Sequence, residues 1–207
     1  MAEVSEFVYY RQQDYARVIR RLPSMIVDLG VLVLMIAIIT SAVQAVYVPG
    51  SVIKMPRSPE RNRLLAQYWR PVQKQTLLVC AAVAAGYHIA LRRTRGGTLG
   101  YRLLGIRLID ATGRPPSWKA LVKRFLIAVP LFFFFAATYW GCFQNPRRQA
   151  LHDTFCSTWL VRKSAQPAGP ARPVHQAKLL GPWLLTFMDV EPDQDADRAG
   201  ALENSES

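Results

Sequence analysis

Apolar and polar positions alternate along this chain on a scale of about twenty residues rather than two or four. Residues 1–21 are polar, with Phe7, Tyr9, Tyr10 and Tyr15 set among charges, and predict a short amphipathic lead-in helix at an interface. A first apolar run follows over 22–48, with Tyr47 at its end before Pro49-Gly50. A second occupies 72–91, its centre rich in alanine and holding Gly86, a composition that lets membrane helices approach closely. A third runs over 121–143, with Arg124 at its start and Pro130 inside it. At ~1.5 Å per residue each run is long enough to cross ~30 Å of hydrocarbon. The fold class predicted is an all-α integral membrane protein with three transmembrane helices. The third either spans or is broken at Pro130 into a re-entrant hairpin.

The intervening stretches predict smaller features. Residues 49–71, with four prolines and five basic residues, read as a polar loop. Residues 101–110 alternate imperfectly before the break at Gly113-Arg-Pro-Pro, which predicts a short β-ribbon on the membrane surface. Ser117 is placed to cap the third helix. The apolar stretch 155–161 is too short to span and is expected at the surface or under the bundle. Residues 164–178 read as a Pro-, Ala- and Gln-rich linker, 179–190 as a twelve-residue interfacial patch, and 191–207 as an acidic disordered tail. The organisation is thus a lead-in (1–21), a membrane domain (22–163) and a linker, patch and tail (164–207).

Charge adds direction to this picture. Residues 1–178 carry 25 of the 26 lysines and arginines and 7 of the 14 acids, so the body is at +18 and the remainder at −6. The basic residues flank apolar runs, which favours anionic lipid headgroups and topology signals over nucleic acid. Nine basic residues against Asp110 between Arg92 and Arg124 mark the cytoplasmic side, and put the amino terminus there too. The length of the first run, its internal Asp28 and the polar leader ahead of it argue for a retained helix rather than a cleaved signal. The expected location is a bacterial cytoplasmic (inner) membrane. The side of the carboxyl tail depends on whether the third run spans. Cys80, Cys142 and Cys156 fit neither a disulfide framework nor a zinc site and are read as small buried hydrophobes.

Three motifs carry the candidate chemistry. Arg21 and Asp28 stand seven residues apart, two turns along one helix face. A glycine-punctuated loop, Gly96-Gly-Thr-Leu-Gly-Tyr-Arg-Leu-Leu-Gly-Ile-Arg-Leu-Ile-Asp110 with Gly113, is followed by Arg124. Arg148-Gln-Ala-Leu-His152-Asp153 closes the core, followed by Thr158 and Val161. In this order, over residues 14–163, they resemble the RDD family of small membrane proteins, named for an arginine and two aspartates. The resemblance implies that Arg21, Asp28 and Asp153 are the name-giving positions, supported by Arg124, Arg148 and His152. It implies a small helical membrane domain, and transport of ions or small solutes as proposed for some members. Where members often carry an acid before the third motif, this chain has Asn145, one charge fewer.

Two readings of the charged residues stay open. Asp28 is a proton- or cation-binding carboxylate with Arg21 as its partner and Asp153 brought up beside them, or the cluster is an ion pair that fixes helix packing. His152 and Asp153, adjacent and about 100° apart on a helix, lack a third ligand and suit a structural or capping role rather than a metal. The glycine loop matches no nucleotide fingerprint and no nucleophile stands with a base, so neither enzymatic activity nor a cofactor is expected. The first function expected is proton-coupled cation or solute transport by a homo-oligomer, since three helices rarely enclose a pathway. The alternative is a scaffold that binds other membrane proteins.

Overall fold

The computed structural model describes residues 6–94, 96–131, 139, 142–143, 145–180 and 183–193. Its longest element, α1 (Val18–Tyr47), buries three residues, Arg21, Ser24 and Asp28. Their spacings of three and four put them on one face. The others include Ile26, Leu34 and Ile38, each more than 60% exposed. Apolar exposure on this scale suits lipid rather than water. A second helix, Gln73–Arg93, exposes Leu77 and Leu78 in the same way. These two helices are long and apolar enough to cross a membrane.

Between them the expected polar loop is helical, as α2 (Gly50–Lys54) and α3 (Pro59–Trp69), which makes Gln73–Arg93 α4. Ser58 accepts the Arg61 amide at 3.1 Å and Pro59 occupies the first turn, where its missing N–H costs nothing. Pro49 and Pro59, two of the four prolines that read as loop, stand at helix starts. Gly86, expected at a close helix contact, faces open space within this chain.

The helical start of the glycine loop forms α5 (Leu99–Leu103), and Ile106–Ile109 forms strand β2, after the β1 strand Phe7–Tyr9. The expected ribbon is therefore not local. β2 pairs antiparallel with β3 (Trp159–Arg162), from Ile106 opposite Arg162 to Ile109 opposite Trp159. Along β3, Trp159 and Val161 enter one apolar core with Tyr10, Tyr15 and Ile109. Leu160 enters the other, with Ala16, Tyr101, Ile106 and Leu121. Both faces of the ribbon are buried, which is why its alternation is imperfect in sequence. The predicted lead-in helix is instead β1 and a 3-10 turn at Gln12–Asp14, with α1 starting only at Val18.

The linker and patch are also ordered differently from expectation. β4 (Gly169–Leu180) and β5 (Trp183–Pro192) pair antiparallel, and β1 adds to β4 in the order β1-β4-β5. β1 reaches only Gly169–Ala171, so beyond it no strand among the described residues pairs with that edge of β4, where prolines are tolerated. An Arg147–Asp189 ion pair and the Phe155 and Phe187 rings, 5.2 Å apart, dock this hairpin on the core. The tail expected to be disordered lies, from residue 194 on, outside the described residues.

The third apolar run begins as α6 (Trp118–Leu131), capped by Ser117, whose Oγ accepts the Ala120 amide at 3.2 Å. Whether 121–143 spans or re-enters turns on residues outside those described. A last short helix, α7 (Leu151–Phe155), precedes β3. The architecture is mostly helical with two membrane-crossing candidates and two small sheets; all-α is corrected to a mixed fold.

Candidate functional site

The sequence spacing pairs Arg21 with Asp28, but the fold separates them into two clusters. Arg21 donates through Nη1 to Asp153 Oδ2 at 2.5 Å and through Nε to the Ala16 carbonyl at 3.0 Å. Arg124 forms a second ion pair with Asp153 and donates to the Thr158 hydroxyl at 2.8 Å. Asp153 is fully buried between the two guanidiniums, and its Oδ2 also accepts the Ala150 amide at the start of α7. This cluster clamps α1, α6 and α7 together.

Asp28 stands apart and makes no ion pair among the described residues. Its Oδ1 accepts the Tyr87 hydroxyl and the Gly100 amide, each at 2.8 Å, and its Oδ2 accepts the Thr98 hydroxyl at 2.7 Å. Three neutral donors from α4 and the start of α5 thus hold a carboxylate that is 2% exposed. The close approach depends on Gly100. A Cβ there would lie 2.1 Å from the Ser24 carbonyl oxygen and 2.9 Å from Asp28 Oδ1. Tyr87, Thr98 and Gly100 are the site residues that sequence reasoning missed. The tight glycine spacing of the loop carried the signal, but reads equally as a surface turn.

The remaining candidates divide as well. His152 puts Nε2 3.3 Å from Asp153 Oδ1. Burial drives the His152 pKa down to about 3, against the pull of Asp153, and the arginines nearby act in the same direction as burial. His152 is therefore neutral at physiological pH. For Asp153 burial favours the protonated acid, but Arg124 and Arg21 outweigh it and hold the carboxyl well below the usual range. Arg148 does not join the cluster; it has a positive φ of 51° and donates to the Tyr15 carbonyl at 3.1 Å. Asn145 closes a local turn, accepting the Arg147 amide and donating to Gln149.

Between α1, α4 and α6 the two clusters border one cavity of about 410 Å³. Arg21, Asp28, His88, Arg92, Arg124 and His152 line it, with apolar walls that include Leu32 and Phe125. A model of the RDD family matches residues 15–157. The chain belongs to the RDD family. The match takes in Arg21, Asp28 and Asp153 and ends one residue short of Thr158, two short of β3. The β4–β5 hairpin lies beyond it. No curated protein and no solved structure matches the chain. For this RDD chain the family and its two apolar helices give a membrane-type protein, in which Arg21 and Asp153 are bonded to one another while Asp28 occupies a neutral cradle.

Proposed function

We propose that the chain is a non-catalytic, transport-type membrane module that moves an ion or small solute through the cavity between α1, α4 and α6, coupled to protonation of Asp28. The observation that carries this reading is the difference between Asp28, which lines the cavity, and Asp153, which lies behind its Arg21 and Arg124. A proton on Asp153 would leave two buried guanidiniums uncompensated, a state that costs several kcal/mol. A proton on Asp28 only exchanges a hydrogen bond with a neutral donor. Asp28 is thus the carboxylate able to change state, and Asp153 the fixed countercharge. Proton-coupled cation exchange is the sharpest version, with Asp28 as the cation ligand. Exposed apolar faces on α1 and α4 favour a homo-oligomer in the bilayer.

The basic termini of α4 and α6 and the first turn of α1 support a cytoplasmic location for this end of the molecule, in a bacterial-type inner membrane. The nineteen residues Leu29–Tyr47 alone extend ~28 Å, nearly the ~30 Å hydrocarbon thickness. Asp28 then lies at the inner edge of the hydrocarbon, within reach of both water and the cavity. A scaffold that binds other membrane proteins is the second reading, favoured by the clamp that Asp153 makes between three helices.

Flux measurements in liposomes under an imposed pH gradient separate the two. Transport requires proton movement that the wild-type chain supports and Asp28→Asn abolishes while remaining folded. Absence of flux from the wild-type chain, under any alkali cation or organic solute gradient applied, would remove the transport reading and leave the scaffold.

A further inference from the structure

The cavity carries its own information about what it binds. Among the described residues Arg21 Nη2, Arg92 Nε and Arg124 Nε have no hydrogen-bond partner, and all three arginines line the cavity. Arg21 and Arg124 are 3% and 2% exposed, so water does not freely satisfy them. Buried donors of this kind are costly when left unpaired and mark a place for an acceptor. Three arginines and Asp28 line the cavity, and Asp153 behind it pairs with Arg21 and Arg124, which leaves one positive charge over with His152 neutral. The missing partner is an anion.

Its shape follows from how polarity is graded along the cavity. α1 and α6 run in one direction away from the arginines and α4 runs in the other, since Asp28 near the start of α1 meets Tyr87 near the end of α4. Arg21, Arg92 and Arg124 therefore share one end. Leu32, Ala84, Ala128 and Val129 lie two to three turns, or one to two turns, further into the apolar part of their helices. A free inorganic anion would satisfy the first end and leave the second empty; a hydrocarbon would do the reverse.

We infer that the cavity binds an anionic amphiphile: an oxyanion, carboxylate or phosphate, seated on Arg21, Arg92 and Arg124, with an apolar chain between α1, α4 and α6. Guanidinium groups suit such oxyanions because their planar donors match carboxylate and phosphate oxygens. The inference rests on the cavity being the ligand site proposed above, and puts an anion there in place of a cation held by Asp28. That class fits the single uncompensated charge better than a bare cation, which would meet one lining carboxylate and three arginines. The same chemistry reaches the site from two sources, a lipid of the surrounding bilayer or an exchangeable single-chain amphiphile.

The test is equilibrium dialysis of radiolabelled octyl phosphate against the full chain in phosphatidylcholine nanodiscs, with empty nanodiscs subtracting partition into lipid. Saturable binding is expected, with octyl glucoside and inorganic phosphate competing at least roughly tenfold more weakly. Arg21→Gln is expected to lose that binding. Since it also unbalances Asp153, Ala128→Phe serves as the second variant: it fills the apolar end, leaves both ion pairs, and is expected to lose binding with the unfolding midpoint retained. Equal displacement by octyl glucoside, equally tight binding of phosphate alone, or undiminished binding by Ala128→Phe would overturn the inference. Competition by phosphatidylglycerol added to the nanodiscs identifies a bilayer lipid as the source, and its failure to compete identifies a single-chain amphiphile; either upholds the class. Binding without flux would leave this inference standing and remove the transport reading. Flux without octyl phosphate binding would do the opposite.

Discussion

Two aspartates of one protein, both buried, carry opposite consequences when neutralised. Asp153→Asn removes the only negative charge between Arg21 and Arg124 and is expected to cost about 3–5 kcal/mol, read as lost unfolding free energy in detergent. Asp28→Asn keeps one carbonyl oxygen as acceptor and puts an amide donor against hydroxyls, at about 1–3 kcal/mol; a fold intact enough for flux assays is expected. His152 adds a pH dependence with a definite sign. Its folded pKa of about 3 lies below the ordinary 6.5, so the unfolded chain binds the extra proton between these values. The His152 contribution is complete above about pH 6.5 and lost progressively as pH falls toward 3. His152→Phe should flatten this part of the stability profile, and a slope unchanged from wild type would contradict the assignment. At this scale the spacing of Arg21 and Asp28 predicts a pair, whereas Arg21 bonds Asp153 and Asp28 is held by Tyr87, Thr98 and Gly100. Helical periodicity puts residues 21 and 28 on one face, but says nothing of a carboxylate arriving from residue 153 or of three donors arriving from 87, 98 and 100.

Among the elements, α5 is the one whose position the site depends on most. Gly100→Ala drives a methyl group into the Ser24 carbonyl and toward Asp28, contacts that rigid backbone cannot relieve cheaply. A loss of about 1–3 kcal/mol or more is expected, together with loss of any Asp28-dependent flux. A variant that unfolds at the wild-type denaturant concentration would show that α5 sits elsewhere. The apolar helices were legible because a run of twenty apolar residues has few alternatives. The strand pairings were not. β2 lies within the stretch 101–110 whose imperfect alternation predicts strand, but its partner β3 is four residues long, buried on both faces and about fifty residues further on, with no turn to mark the pairing. β4 was hidden by Pro170, at the start of the strand, and Pro173, beyond the reach of β1, and α3 by Pro59, which a helix start prefers.

For the whole molecule the arrangement of α1 and α4 sets both ends of the hairpin on one side, with α2 and α3 on the other. Single cysteines at Arg11 and Arg114 should react with an impermeant maleimide only after permeabilisation of cells, while one at Arg57 reacts beforehand; the native cysteines are buried. Joint labelling of Arg57→Cys and Arg114→Cys would contradict the hairpin. Tyr101 of α5, His152 of α7 and Leu160 of β3 line the cavity at the end where the arginines lie. That gathering follows from contacts between distant segments, which one sequence read alone does not reveal.

The division of the charged residues into an Arg21–Asp153 clamp and a separate Asp28 cradle underlies everything above. A pair of double-mutant cycles in unfolding free energy tests it most directly, one combining Arg21→Gln with Asp153→Asn and the other Arg21→Gln with Asp28→Asn. The expected result is a coupling of at least about 1 kcal/mol in the first and less than about 0.5 kcal/mol in the second. Strong coupling between Arg21 and Asp28, with none to Asp153, would return the arginine to the partner its spacing suggests and contradict the site described here.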